Sequence, residues 1–351
     1  MAIFSISNVK FSGVSACVPK GKASNEDYDL LSEKERHMLI KTTGIEERRV
    51  AREGVTTSDL CFDAAEKLIQ ELQWNKEEIE LLIFVSQSRD YILPATAIIL
   101  QDRLGLPKTT IAFDLSLGCS GYIYGLSVIS SMMSNAQVKK ALLLVGDISS
   151  LSPNEKDKST FPLFGDAGTA TALEFDEKAA PMNFNLQSDG SGHKAIIIED
   201  GGVRNPLNDA SFIDEEISPG ITRNKRNLAL DGLEVFNFSL REVAPNIRAT
   251  FEATNTTKDD YNYFVLHQAN KLMNESIRKK LKIEAEKVPY TLKEFGNTSS
   301  ASIPLTLVKV LNNELRTKKL NLLFSGFGVG LSWGTATVQT ENITCPELIE
   351  I

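Results

Sequence analysis

Apolar and polar positions alternate between two regular patterns along the chain, one of helical and one of strand period. Between 58 and 72, Leu60, Ala64, Ala65, Leu68, Ile69 and Leu72 fall on one stripe of an amphipathic helix. Asn75 followed by Glu78 has the spacing of a capping box and predicts a short helix. LLIFVS (81–86) is a continuous apolar run of strand length, as in a strand covered on both faces. A helix over 94–104 follows, with Pro94 in its first turn and Gly105 as its stop. IAFDLS (111–116) predicts the next strand, 120–133 the next helix, and ALLLVGD (141–147) a third buried strand. The order strand–helix–strand–helix–strand implies a largely parallel sheet with helices on its faces.

The second half runs through a similar inventory. A charged stretch, SLSPNEKDKS (150–159), leads to FGDAGTATALEF, a Gly turn followed by a small-residue strand. Helices are predicted over 231–252, 269–281 and 299–315, and strands over 263–266 and 320–328. The segment 201–227 lacks periodicity and reads as a long surface or lid loop. LLLVGD and FVL-HQAN are similar strand-to-loop junctions. The chain is therefore read as α/β, built from two similar halves, 1–177 and 178–351.

Composition narrows the function classes. The chain has 351 residues, too long for one typical small core, so two packed halves suit it. Its 38 Lys and Arg against 46 Asp and Glu give a net charge of −8, which argues against nucleic-acid binding. No run of 18 uncharged apolar residues is present, so no membrane span is expected. MAIFSISNVKFSG has no basic region followed by an apolar one, so no signal peptide is expected. The four Cys are too widely spaced for a disulfide framework or a zinc knuckle, and a reducing cytoplasm is the expected compartment.

Candidate chemistry gathers at strand ends. Cys119, in DLSLGCSGYIYGLS, stands between a buried strand and the start of a helix. Partial positive charge and free amides there favour a thiolate, and Gly118 and Gly121 permit a sharp turn. A nucleophile and a buried small hydrophobe are both open readings of that position. Cys17, Cys61 and Cys345 lack such a setting and read as filler. His37 lies in a charged helical run and His193 in a turn, whereas His267 ends a strand, where ligands sit in parallel sheets. Asn297, in EFGNTSSASIP, is a turn residue unless other groups join it. GFGVGLSWG (326–334) could bring bare backbone N–H groups to a substrate oxygen. The scattered His residues suggest no metal site. A Cys, His, Asn order allows a papain-like peptidase, thiolase-like acyl transfer, or a binding subunit of the latter fold that has lost its chemistry. The doubled α/β pattern fits only the thiolase-like kind, and none of the three groups is missing.

Several segments together carry a resemblance. TTGIEERRV (42–50), GCSGYIYGL around Cys119, FGDAGTA (164–170), SDGSG (188–192), HQAN (267–270), GNTSSASIP (296–304) and GFGVGLSWG resemble the 3-oxoacyl-[acyl-carrier-protein] synthase III family, in order along nearly the whole chain. The resemblance implies a thiolase-like five-layered αβαβα fold and a homodimer. It implies decarboxylative condensation of an acyl thioester primer with malonyl-acyl-carrier protein, through an acyl group on Cys119. His267 and Asn297 would hold the enolate, and the amides of Cys119 and Val329 the tetrahedral oxyanion. The family pattern has Gly where Val329 stands. The alternative is an acyltransferase of the same fold that moves the acyl group to a hydroxyl or amine. Members of that kind tend to replace the Asn, which is retained here.

The resemblance also locates the substrate regions. No tightly bound cofactor is implied; acyl-CoA or acyl-carrier protein thioesters are substrates. Met38 and Lys158 stand where the family often has Trp and Arg against adenine, Thr42 where a basic residue is common, and Leu233 where an Asn meets the thioester arm. Met and Lys cannot stack a purine as Trp and Arg do, so a carrier protein is the expected acyl donor. Lys271, Arg278, Lys279 and Lys280 supply a basic helix face for that acidic partner. Leu93 aligns with a residue that reaches across the dimer into the partner's acyl pocket.

Overall fold

The computed structural model describes residues 2–351. Thr57–Leu72 shows how the sequence forms its helices. Thr56 and Asp59 form a capping box at its start, and Gln73 ends it in the left-handed conformation. Its stripe of Leu60, Ala64, Ala65, Leu68 and Ile69 is wholly buried, and Leu72 packs at the margin. The helix Thr96–Arg103 starts two residues after Pro94, which stays outside it. Ala95 cannot cap this helix, and the Asp114 carboxylate takes over by accepting from the amides of Thr96 (2.8 Å) and Ala97 (2.7 Å).

Two sheets organise the molecule. The six-stranded sheet runs in the order Ile349–Glu350, Val9–Val18, Asp166–Phe175, Lys140–Ile148, Leu81–Val85 and Ile111–Leu115. The five-stranded sheet runs Ala2–Ile6, Met182–Ser188, Ser332–Glu341, Lys319–Gly328 and Tyr263–Leu266. The sheets are more mixed than the pattern predicted. Lys140–Ile148, Leu81–Val85 and Ile111–Leu115 are parallel because a helix crosses between successive members. Asp166–Phe175 is antiparallel to both its neighbours. Lys319–Gly328 and Ser332–Glu341 form a hairpin, and only the pairing with Tyr263–Leu266 is parallel in that sheet. The end strands exchange places: Ala2–Ile6 pairs in the second sheet and Ile349–Glu350 in the first.

Helices Gly121–Met133 and Ser302–Val310 lie between the sheets, where Tyr122, Ile123, Leu126, Ile303 and Leu305 fill the central core. Thr57–Leu72 and Thr96–Arg103 cover the outer face of the first sheet. Gly232–Thr254 and Lys271–Leu281 cover that of the second. The result is five layers, αβαβα. Burial of the central helices on both sides explains their lack of a polar face.

Local departures from the expected elements are small. Asn75 caps Glu77 rather than pairing with Glu78, and the helix there is a single 3₁₀ turn, Lys76–Glu78. The stretch expected as one helix over 299–315 divides into Ser299–Ala301, Ser302–Val310 and Asn312–Thr317. The loop 201–227 holds a short turn, Asp209–Phe212, and a hairpin of Glu215–Ser218 with Ile221–Arg223. Backbone hydrogen bonds from Lys158 to Gly220, from Thr222 to Lys156 and from Leu228 to Ser152 tie this segment down.

Candidate active site

A cavity of about 720 Å³ opens beside strand ends of both sheets. Cys119, His267, Asn297 and Val329 all line it. Each is delivered by a different strand end or helix start, so chain topology, not sequence proximity, assembles the group.

Cys119 is partly buried and stands two residues before the helix Gly121–Met133. The end of the strand Lys319–Gly328 passes directly over it. A Cβ on Gly328 would lie 2.7 Å from the Cys119 Cβ and 2.9 Å from its Sγ, and Gly328 has φ +154°. Only glycine permits that approach. It sets the Val329 amide where it favours the charged form of the Cys119 sulfur. Burial nonetheless pushes the thiol up to about 11, and the Asp147 carboxylate adds to the rise. The Val329 amide, the Ser299 hydroxyl and the Cys119 amide act in the opposite direction without prevailing. The helix start therefore does not give a resting thiolate, contrary to the sequence expectation: desolvation outweighs the partial charge.

His267 ends the strand Tyr263–Leu266 and is 1% exposed. Its Nδ1 is 2.7 Å from the Ser302 hydroxyl, and the Phe327 ring meets its face edge-on. Burial lowers its pKa to about 3, although the Ser299 main chain favours the charged ring. The imidazole is neutral at physiological pH. Asn297 is held by main-chain hydrogen bonds on both sides, its amide donating to Leu163 and its carbonyl accepting from Gly165. The Ser299 amide donates to Asn297 Oδ1 at 2.9 Å, which fixes the side-chain orientation. Among the described residues, no protein acceptor meets its Nδ2. Two neutral groups thus line the same cavity as the thiol, one a hydrogen-bonded imidazole and one an oriented amide.

Sequence reasoning missed Asp147, which lines the same cavity and is 3% exposed. Its carboxylate accepts from the Ser86 hydroxyl (3.0 Å), the Gln87 amide (2.8 Å), and the Ser300 hydroxyl (2.6 Å) and amide (3.3 Å). It ties the loop after Leu81–Val85 to the segment that carries Asn297. An Asp set in the apolar run of the strand Lys140–Ile148 was the available signal.

The remaining expected residues are scattered. Lys158 lines the cavity, its Nζ 4.0 Å from a Glu35 carboxylate oxygen. Met38 and Thr42 are exposed on the helix Glu33–Thr43, whose Leu39 and Thr43 reach the cavity instead. Leu233 is exposed and borders a separate hollow with Asp189 and Arg241. On Lys271–Leu281, Arg278 is bound to Glu275 (2.8 Å) and the Ile283 carbonyl (2.6 Å), and Lys280 to the Leu240 carbonyl (2.7 Å). Lys271 and Lys279 are exposed. Leu93 is 83% exposed, beside exposed Tyr91 and Ile92. His37 is exposed on its helix, and His193 Nδ1 meets the Gly190 carbonyl. Cys17, Cys61 and Cys345 are buried core residues. Among the described residues, no cluster of three His, Cys, Asp or Glu could hold a metal ion, and no helix is long and apolar enough to cross a membrane.

Comparison with known proteins places this arrangement. Residues 113–190 match the family model described as 3-Oxoacyl-[acyl-carrier-protein (ACP)] synthase III, and residues 251–340 match the one for its C terminal part. These spans contain Cys119, His267, Asn297 and Val329. The beta-ketoacyl-[acyl-carrier-protein] synthase III of Clostridium novyi is 31% identical over 332 residues, 95% of this chain and 99% of that protein. A 3-oxoacyl-(acyl-carrier protein) synthase structure from Burkholderia xenovorans superposes with a TM-score of 0.94 at 37% identity, covering 99% of both chains. That of beta-ketoacyl-[acyl carrier protein] synthase III from Thermus thermophilus gives 0.80 at 30% identity, covering 94% of this chain and 98% of that one. With the five layers, the site and these likenesses in agreement, the chain belongs to the beta-ketoacyl-[acyl-carrier-protein] synthase III family.

Proposed function

We propose that the chain is an acyltransferase that condenses an acyl thioester primer with malonyl-acyl-carrier protein, releasing carbon dioxide and a 3-oxoacyl-carrier protein. The observation that carries this reading is the convergence of Cys119, neutral His267, oriented Asn297 and the Val329 amide on one cavity. Cys119 attacks the primer thioester, and its proton leaves on the departing thiol. The Val329 and Cys119 amides hold the tetrahedral oxyanion. Malonyl thioester then binds with its carbonyl toward His267 and Asn297. A Ser302 hydroxyl that gives its proton to Nδ1 leaves Nε2–H as a donor, joined by Asn297 Nδ2–H. These two stabilise the enolate left by carbon dioxide, whose carbon attacks acyl-Cys119 and expels the thiolate. A thiol with a pKa near 11 then takes a proton from water.

The same geometry disfavours acyl transfer to a hydroxyl or amine. That reaction needs a base, and a ring with a pKa near 3 is a poor one at neutral pH. No cofactor has a part in this scheme. Acyl-carrier protein is the donor we favour over acyl-CoA, because Met38, Thr42 and Lys158 offer no aromatic clasp for adenine. Lys271, Lys279 and Lys280 are exposed cations on the helix we assign to carrier docking, and of these Lys280 is held by the Leu240 carbonyl. The chain acts as a cytoplasmic homodimer in this reading. Support for the dimer comes from Ile111–Leu115, the open edge of its sheet with Ile111 exposed, and from exposed Ile92 and Leu93.

The test is donor-dependent carbon dioxide release from malonyl-acyl-carrier protein. Release that requires an acyl donor and disappears in Cys119→Ala is expected. Acylated Cys119 without carbon dioxide release would transfer the assignment to the hydroxyl or amine acceptor reaction.

A further inference from the structure

Asn297 opens a tight turn that runs into the 3₁₀ segment Ser299–Ala301. Within it Ser299 has φ +48°, in the left-handed region. A residue with a side chain seldom stays there unless its surroundings hold it. The conformation has a use. It turns the Ser299 amide back onto Asn297 Oδ1, so that Nδ2 is the end left for a substrate. The main-chain bonds of Asn297 to Leu163 and Gly165 hold its backbone, not its side chain. The aim of that side chain therefore rests on Ser299, which needs an anchor.

The next residue supplies one. Ser300 is 1% exposed and gives both of its donors to a single oxygen of Asp147, Oδ2, the hydroxyl at 2.6 Å and the amide at 3.3 Å. The other oxygen, Oδ1, is taken by the Ser86 hydroxyl at 3.0 Å, the Gln87 amide at 2.8 Å and the Ser88 hydroxyl at 3.4 Å. Gln87 in turn lies over the residue before Cys119, its Oε1 2.5 Å from where a Cβ on Gly118 would stand. One carboxylate oxygen thus serves the loop beside the nucleophile, and the other serves the turn that carries Asn297.

Resting on the condensation reading above, we propose that Asp147 and Ser300 are positioning residues for decarboxylation, their hydrogen bond locking Ser299 in the left-handed conformation that aims Asn297 at the enolate oxygen. Acylation of Cys119 relies on the Cys119 and Val329 amides and does not need the lock. Ser300→Ala separates the two duties of Asp147, because it removes the 2.6 Å bond and leaves the contacts of Oδ1 in place.

The experiment compares wild type, Ser300→Ala and the double variant Ser299→Gly with Ser300→Ala. Acylation by butyryl-acyl-carrier protein is followed by intact-protein mass. Malonyl-acyl-carrier protein is then added to the acylated enzyme, and the maximal rate and half-saturation of carbon dioxide release are read. Ser300→Ala is expected to acylate within about threefold of wild type and to lose about tenfold or more in maximal release rate. Half-saturation should move less than about threefold, since an enolate holder acts mainly after the substrate is bound. Glycine adopts φ +48° without the penalty borne by serine, so the double variant should release carbon dioxide at least about threefold faster than Ser300→Ala. Equal losses in acylation and release, release within threefold of wild type, or a double variant no faster than Ser300→Ala overturns the proposal. A wild type that is never acylated, or is acylated and releases no carbon dioxide, would instead contradict the condensation reading itself.

Discussion

Gly328→Ala is the sharpest single perturbation of the site. Alanine at φ +154° is strained by about 1–3 kcal/mol before any contact is counted. Its methyl would also stand 2.7 Å from Cys119 Cβ and 2.9 Å from Sγ, well inside contact distance. Cys119 is anchored by the helix behind it, so the strand end must retreat and take the Val329 amide with it. Losing one oxyanion donor typically costs about 10²–10³ in rate, roughly 2.7–4 kcal/mol. Acylation of Cys119 is therefore expected to fall at least a hundredfold in single-turnover mass measurements, with donor KM little changed and Tm lowered by a few degrees. Gly54→Ala is the control. Gly54 has φ +85° but nothing within 4 Å of its missing Cβ, so it carries strain without touching the site. It should lose comparable stability and keep its rate. Gly328→Ala acylating within threefold of wild type would refute the assigned role of the Val329 amide.

Other consequences follow from the same structure. With its thiol near pKa 11, Cys119 is mostly protonated at neutral pH, so its alkylation by iodoacetamide should rise about tenfold per pH unit from 7 to 9; a plateau beginning near pH 7 would contradict the dominance of burial. Asp147→Asn removes a negative charge that raises that thiol, so the alkylation curve should move to lower pH. The new amide NH₂ would also face hydrogen-bond donors, with an expected loss of about 1.5–3 kcal/mol in chemical unfolding; an unmoved curve would remove Asp147 from the electrostatics of the site. Lys271→Glu with Lys279→Glu should raise KM for carrier-bound donors while leaving Tm near wild type. Arg278→Glu should instead lower Tm, because it breaks the contacts to Glu275 and Ile283; equal KM values for wild type and the double variant would dismiss this helix as the docking face.

The legible parts of this protein were those coded by local pattern. Leu60 to Ile69 form one helical stripe, LLIFV is wholly apolar, and both recur as a buried helix and strand because their faces have only the core to meet. Cys119 and His267 were visible as polar or reactive residues at the junctions where such strands end. What local pattern could not show depends on distant segments. Asp147 gains its meaning from Ser86, Gln87 and Ser300, the last 153 residues away. Gln87 reads as an ordinary loop residue until the fold lays it over Gly118. Antiparallel pairing such as that of Val9–Val18 with distant Asp166–Phe175 is likewise tertiary, and strand-length apolar runs do not distinguish it from parallel pairing. The thiolate expected at Cys119 failed for a related reason: the helix start is local and visible, whereas the burial that outweighs it is tertiary. Arg278 is the reverse case, since Glu275 three residues earlier was in plain view as its helical partner.

The central claim is a division of labour, with Cys119 carrying the acyl group and His267 and Asn297 acting only after malonyl binding. It is tested most directly by intact-protein mass and carbon dioxide release for Asn297→Ala supplied with acyl donor and malonyl-acyl-carrier protein. The account predicts a stable acyl adduct on Cys119, formed at close to the wild-type rate, with carbon dioxide release reduced at least a hundredfold. An Asn297→Ala protein that cannot be acylated, or that releases carbon dioxide as fast as wild type, would contradict it.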